Sequence, residues 1–297
     1  MPDDAPAPRL FCFGLGYSAR RLAERCRDHG WRVAGTTRDK QTAEALRAAG
    51  FEAFLFDRDR PLDDPAEALA GTTHLLSSVP PDRDGDGVLD HHGAQIAARR
   101  GLRWLGYLST TGVYGDRDGG WVDEESALTP TGERGRRRVA AEGAWLALAR
   151  DHGLPVHVFR LAGIYGPGRS ALDAVRRGTA KRIHKPGQVF SRIHVDDIVR
   201  VLEASMASPH PGRAYNLCDD EAAPPAQVIA HACKLLSRAP PPLVPFDRAE
   251  LSPMARSFYR DNKRVANRRI KEELGVDLAY PDYRAGLEAL LAAEGHH

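Results

Sequence analysis

Residues 9–26 read Arg9-Leu10-Phe11-Cys12-Phe13-Gly14-Leu15-Gly16-Tyr17-Ser18-Ala19-Arg20-Arg21-Leu22-Ala23-Glu24-Arg25-Cys26. A short apolar strand runs directly into a glycine turn, and a helix opens after it. This order suits a dinucleotide pyrophosphate. Gly14 permits the tight turn, Gly16 lets backbone approach phosphate, and the small Ala19 lets the helix pack close to the strand. The helix N-terminus offers free N–H groups and the positive end of its dipole to the anion. Tyr17 and Ser18 complete the candidate cofactor contacts of the turn. The plainer reading is an ordinary glycine-bearing loop, and the strand–helix frame argues against it.

The second strand bears on which dinucleotide is bound. Gly30–Gly35 reads as a turn plus strand, ending at Thr36-Thr37-Arg38-Asp39-Lys40. An NAD site usually places an acid here, about twenty residues past the glycines, to bind the ribose 2′-OH. Thr37 stands where that acid would fall, then Arg38, with Lys40 close by. A hydroxyl and two cations suit a 2′-phosphate, since arginine offers it a bidentate fork. The expected cofactor is therefore NADP in preference to NAD, with Asp39 a solvated helix cap.

Further strands read at 51–57, 73–79, 103–109 and 155–161. Helices read near 93–100 and over 139–150, 227–236 and 265–274. Apolar strands alternating with amphipathic helices mean a parallel sheet covered on both faces, with ligands beyond the C-terminal strand ends.

Composition narrows the partners. The chain has 297 residues and a net charge of +2, which points to neither nucleic acid nor membrane. No apolar run approaches the ~20 residues of a membrane span. Cys12, Cys26, Cys218 and Cys233 lack CxxC spacing and read as inert thiols of a reducing, cytoplasmic compartment. Residues 1–8 read as a disordered tail. No metal is expected. Asp82-Arg83-Asp84-Gly85-Asp86-Gly87 imitates a calcium loop, but its twelfth position is Gly93, so it reads as a flexible acidic loop. His91-His92 and His194 lack zinc spacing, and His194 with Asp196 and Asp197 reads as a capped helix start.

Further motifs lie in a familiar order: Asp57, Ser77-Ser78-Val79-Pro80, Leu108-Ser109-Thr110-Thr111-Gly112-Val113-Tyr114-Gly115, Arg160-Leu161-Ala162-Gly163-Ile164-Tyr165-Gly166-Pro167-Gly168, Ser191-Arg192-Ile193-His194-Val195-Asp196-Asp197 and Ala214-Tyr215-Asn216-Leu217. With the glycine turn they resemble the extended and atypical branches of the short-chain dehydrogenase/reductase superfamily, the NAD(P)-dependent epimerase/dehydratase group. The resemblance implies an α/β, Rossmann-type doubly wound parallel sheet with a smaller C-terminal substrate lobe. It implies that Asp57 contacts the adenine, that Ser77, Ser78 and Val79 flank the dinucleotide, and that Thr110 takes the catalytic serine position. It also implies a homodimer paired through the helix carrying Arg134–Arg150. The expected limits are 9–165 plus about 187–210 for the cofactor domain, and about 168–186 plus 211–297 for the substrate lobe.

The chain departs from the family at its Tyr-x-x-x-Lys pair. Counting back from Ala140-Ala141-Glu142, Arg134 fills the tyrosine slot and Arg138 the lysine slot. Arg138 can hold ribose hydroxyls; Arg134 cannot serve as a general acid, because guanidinium does not deprotonate in proteins. Tyr114 and Tyr165 are the remaining proton-donor candidates, with packing as their structural alternative. Thr111, Tyr114, Arg134 and Tyr165 are the candidate substrate contacts. The cluster Arg134, Arg136, Arg137 and Arg138 suits an anionic small-molecule substrate, or else is a solvated helix face. Three readings stay open: an NADP-dependent oxidoreductase or epimerase-like enzyme, a non-catalytic NADP-binding sensor, and, more weakly, a sugar-nucleotide epimerase or dehydratase.

Overall fold

The computed structural model describes residues 7–295. The tail expected over residues 1–8 lies, through residue 6, outside the described residues.

The first five strands and helices alternate as expected: β1 (Arg9–Phe13), α1 (Tyr17–Asp28), β2 (Arg32–Thr37), α2 (Lys40–Ala48), β3 (Glu52–Leu55), α3 (Pro65–Ala68), β4 (His74–Ser77), α4 (Gly87–Ala97), β5 (Trp104–Thr110) and α5 (Glu133–His152). With strands Val156–Leu161 and Ala214–Leu217 they build a seven-stranded parallel sheet. Its order is Ala214–Leu217, Val156–Leu161, β5, β4, β1, β2, β3. The order reverses direction beside β1, which pairs in parallel with β2 on one side and β4 on the other. That is the switch point of a doubly wound sheet, and ligands bind beyond the strand ends there. Burial follows from this topology. All five residues of β1 are buried, as a central strand covered on both faces requires.

Two compact units divide the chain. The first comprises Met1–Ser109, Arg137–Phe159 and Leu202–Tyr215. Its core gathers Phe11, Phe13, Leu75, Tyr107 and Trp145. Tyr107 and Trp145 stack at 5.7 Å, and the Trp145 indole N–H donates to Asp86 Oδ2 at 2.8 Å. The second comprises Thr110–Arg136, Arg160–Val201 and Asn216–His297. Leu172, Val228, Cys233, Tyr283 and Leu287 pack in one of its cores. This grouping differs from the limits read in the sequence, because residues 110–136, 160–165 and 187–201 fall in the second unit. One cause is backbone pairing within that unit: Trp121–Val122 pairs with Arg264–Val265, and Arg192–His194 pairs with Gly163–Tyr165.

Three elements depart from their expected bounds. α4 starts at Gly87, not near 93, because Asp86 caps it: Asp86 Oδ1 accepts the N–H groups of Val88 and Leu89 at 3.0 and 3.2 Å. The acidic loop before it is not free. Arg58 grips Asp82 at 2.7 Å and Asp90 at 2.5 Å. α5 begins at Glu133, so the arginine cluster is helical from its start. The helix expected from 265 begins at Arg268, since Val265 is committed to its strand pair with Val122.

Candidate functional site

The glycine turn of the first unit is fixed by four polar contacts. Gly14 N–H donates to Thr36 Oγ1 at 2.8 Å, and Leu15 N–H donates to Thr36 O at 2.8 Å. Ser78 Oγ donates to Gly14 O at 2.6 Å, and Ser78 N–H donates to Phe13 O at 2.9 Å. Gly14 has φ +83°, and a Cβ there would meet Ser78 Oγ at 2.8 Å and Val79 Cγ2 at 3.2 Å. Glycine is required on both counts. Gly16 is the opposite case: a Cβ there would meet nothing within 4 Å. It is the N-cap of α1 and provides no side-chain cap to that helix. Open space at Gly16 beside an uncapped helix start is what a bound pyrophosphate needs. Tyr17 stands partly exposed on the first turn, while Ser18 and Ala19 are buried against the sheet.

At the end of β2 the two candidates separate from Asp39. Asp39 caps α2, its Oδ1 accepting Thr42 N–H at 2.7 Å and the Thr42 hydroxyl at 2.9 Å. Those bonds hold its carboxyl below the usual range. Thr37 Oγ1 faces Asp39 N–H at 3.5 Å. Arg38 is exposed, and among the described residues its guanidinium has no hydrogen bond or ion pair. Its carbonyl accepts from Arg60 Nη2 at 2.6 Å, and the same nitrogen donates to Asp57 Oδ2 at 2.8 Å. Arg60 therefore ties the Asp57 loop to the Arg38 loop. No motif announced it, although its place three residues after Asp57 is the one signal available. Asp57 Oδ1 also accepts Asp59 N–H at 3.0 Å, so both carboxylate oxygens are held in place.

One expected cofactor contact is placed differently. Ser77 is fully buried and its hydroxyl has no partner, so only Ser78 and Val79 meet the glycine turn. Arg138 lies against β5, where Nη1 donates to Leu108 O at 2.6 Å and to Tyr107 OH at 3.2 Å. Its remaining donors are those left for a ribose. Glu142 was read only as an alignment marker. It is buried and accepts the Ser109 hydroxyl at 2.5 Å, which anchors α5 to β5.

The second unit holds the expected substrate contacts and, of the expected catalytic residues Thr110, Arg138 and Tyr165, all but Arg138. Thr110 caps a short 3₁₀ turn, Thr111–Tyr114, by accepting Gly112 N–H at 3.1 Å. That leaves its own O–H to donate. Thr111 is partly buried on the same turn. Tyr114 is corrected: it is fully buried, donates to Asn216 Oδ1 at 2.7 Å and accepts from Arg160 Nη1 at 2.9 Å. Burial pushes its hydroxyl up to about 12 against the pull of Arg160. It is a structural tyrosine. Tyr165 is also buried, edge-on to His194 at 5.1 Å, with its hydroxyl 3.4 Å from Asp282 O. Burial and then Asp219 push its pKa up, so it keeps its proton. It still borders a cavity. Arg134 is exposed at the start of α5, whereas Arg136 is paired with Glu133 at 2.8 Å. Arg134 and Arg138, four residues apart on α5, lie on one helix face, and Arg136 projects away from them.

The expected helix cap at 194–197 is supplied by the histidine: His194 Nδ1 accepts Asp196 N–H at 3.2 Å. Asp197 instead accepts the N–H groups of Ala279 and Tyr280 at 2.8 and 3.0 Å. All four cysteines are buried and reduced, and burial pushes the thiols of Cys12, Cys26 and Cys218 up. Among the described residues no group of three or more His, Cys, Asp or Glu side chains is arranged to hold a metal, and no helix is long and apolar enough to cross a membrane.

Known proteins of similar sequence and structure agree with this arrangement. A functionally unknown conserved protein from Silicibacter pomeroyi superposes with a TM-score of 0.90 at 56% identity, covering 97% of this chain and 99% of that one. Protein YeeZ of Escherichia coli K12 is 28% identical over 284 residues, covering 91% of this chain and 95% of its own. The dTDP-glucose 4,6-dehydratase of Bacillus anthracis, solved in complex with NAD, shares the fold at a TM-score of 0.76 and 15% identity, covering 98% of this chain and 97% of that one. The model of the NAD dependent epimerase/dehydratase family matches residues 14–218, from the glycine turn to the last strand of the sheet. With the turn, the switch point and the motif order all in place, the chain belongs to that family.

Proposed function

We propose that this protein is an NADP-binding oxidoreductase of the family, acting on a small molecule. The observation that carries the reading is Arg38, exposed and without a partner among the described residues, while Asp39 is engaged as a helix cap. Asp39 Oδ1 is taken up by its own helix, and an unengaged guanidinium suits a phosphate. When bound, the dinucleotide supplies or accepts hydride. Gly16 and the start of α1 hold its pyrophosphate, and Arg138 directs its spare donors to the ribose. Thr110 offers its hydroxyl proton to a substrate carbonyl.

The test is a binding titration of NADPH and NADH on the wild type and Arg38→Ala. The reading expects NADPH preferred, with the preference lost in the variant. Equal affinity for both would remove the NADP assignment. The Bacillus anthracis neighbour is solved in complex with NAD, so the NADPH-against-NADH titration is the informative one. A second reading, a non-catalytic NADP-binding sensor, is favoured by Arg134 and Arg138 in place of the Tyr-x-x-x-Lys pair. NADPH oxidation with any member of a carbonyl panel eliminates it. A sugar-nucleotide substrate is the weaker alternative. It is dropped when neither UDP- nor GDP-sugars raise the melting temperature.

A further inference from the structure

Within the second unit lies a cavity of about 420 Å³, large enough for a small organic molecule. One part of its wall is cationic, formed by Arg169, Arg177, Lys181 and Arg192. Another is apolar, formed by Val228 and Leu287 among others. None of the described residues lining it is acidic.

Arg177 separates this cavity from a second one of about 450 Å³ in the same unit. There, Arg182, Lys185 and Arg264 each donate to a backbone carbonyl, of Pro241, Tyr259 and Gly119. In the first cavity, Arg177 is exposed with no side-chain partner among the described residues. Lys181 reaches only the Glu250 carbonyl, at 2.6 Å. Arg192 is partly buried and donates to the carbonyls of Phe190 and Ala223 at 2.8 and 3.1 Å. No carboxylate lies within ion-pair distance of it among the described residues. Asp219 acts on it electrostatically, although burial pushes that carboxyl up to about 8. A desolvated cation outside any ion pair is costly, and an anion relieves the cost.

We propose that this cavity binds a small organic anion with a doubly charged head, a phosphate or paired carboxylates, on an apolar body. The head lies against Arg177, Lys181 and Arg192, and the body against Val228 and Leu287. Every lining residue belongs to the second unit, so the site stands independently of the cofactor reading.

The test is calorimetric titration of the full chain, without dinucleotide, with phenyl phosphate, phthalate and inorganic phosphate. The expected result is saturable binding of phenyl phosphate or phthalate, tighter than inorganic phosphate, weakening as salt is raised. Whichever of the two binds more tightly identifies the head group. The double variant Arg177→Glu/Lys181→Glu should weaken that binding at least about tenfold. Both side chains are exposed, so the variant should keep its melting temperature. If it does not, the single change Arg177→Gln serves, with a smaller expected loss. Absence of saturable binding by both organic probes overturns the proposal. So does binding that is unchanged in a folded variant or insensitive to salt.

Discussion

Arg160 Nη1 donates to the Tyr114 hydroxyl at 2.9 Å, and its guanidinium carbon stands 5.1 Å from the centre of the Tyr114 ring. The contact, with the bond to Asn216, occupies the tyrosine fully. Tyr114→Phe should therefore cost stability, about 1–3 kcal/mol, because Arg160 and Asn216 each lose a buried partner. Cofactor affinity and any turnover should stay near wild type. Chemical denaturation with a parallel NADPH titration checks this; a folded variant with intact stability and abolished turnover would return Tyr114 to catalysis.

The two glycines of the turn should respond differently to the same change. Gly14→Ala forces a left-handed backbone and a clash with Ser78, and should cost about 2 kcal/mol or more. Gly16→Ala meets nothing in the protein, so its melting temperature should hold while dinucleotide affinity drops at least about tenfold. Should Gly16→Ala bind NADPH normally, the pyrophosphate does not sit at this turn.

Ser109 and Glu142 should prove coupled. In a double-mutant cycle with Ser109→Ala and Glu142→Ala, the interaction energy should be about 0.5–3 kcal/mol. Additive losses would show that the 2.5 Å contact does not anchor α5.

Stability should depend on pH through buried histidines on the acid side and a buried carboxyl on the alkaline side. Burial lowers His74 and His157 to about 4, so between about 6.5 and 4 the unfolded chain binds two protons that the folded chain refuses. Their contribution is present above pH 6.5 and lost as pH falls. Asp219 is raised to about 8, so its contribution is present in acid and lost as pH rises from about 4 to 8. His92 is lowered in the same sense, and burial raises Asp86, Glu124 and Asp197 in the sense of Asp219, so the histidine arm is the part of the acid loss that His74→Gln and His157→Gln remove, about 1.4 kcal/mol per unit for each group at most. Above 6.5 the Asp219 contribution is lost as pH rises toward 8. Urea denaturation across this range reads both arms, and Asp219→Asn should flatten the alkaline one. A decline there that persists in the variant would assign it to another group.

The strands and the glycine turn were legible because their signals are local. β1 is a buried apolar run, and Gly14 sits where a turn must form. Asp39 reads as a helix cap, and it does cap α2. What stayed hidden depends on partners distant in sequence. Arg58 reaches Asp82 and Asp90, so an acidic loop that looks free is held. Tyr114 looked available until Arg160 and Asn216 closed around it. The short strands Trp121–Val122 and Arg264–Val265 carry no periodicity long enough to read, and each is a strand only because the other is beside it.

The seven-stranded sheet takes its edge strand from Ala214–Leu217, more than a hundred residues after β5. During synthesis the cofactor-binding unit cannot complete itself until that strand has left the ribosome. By then two excursions into the other unit have already emerged. Neither unit can be cut out as one continuous piece of gene, and a chain truncated before residue 214 would present the buried strand Val156–Leu161 as a bare edge. A nascent chain stalled there is the species on which a chaperone, or aggregation, would act.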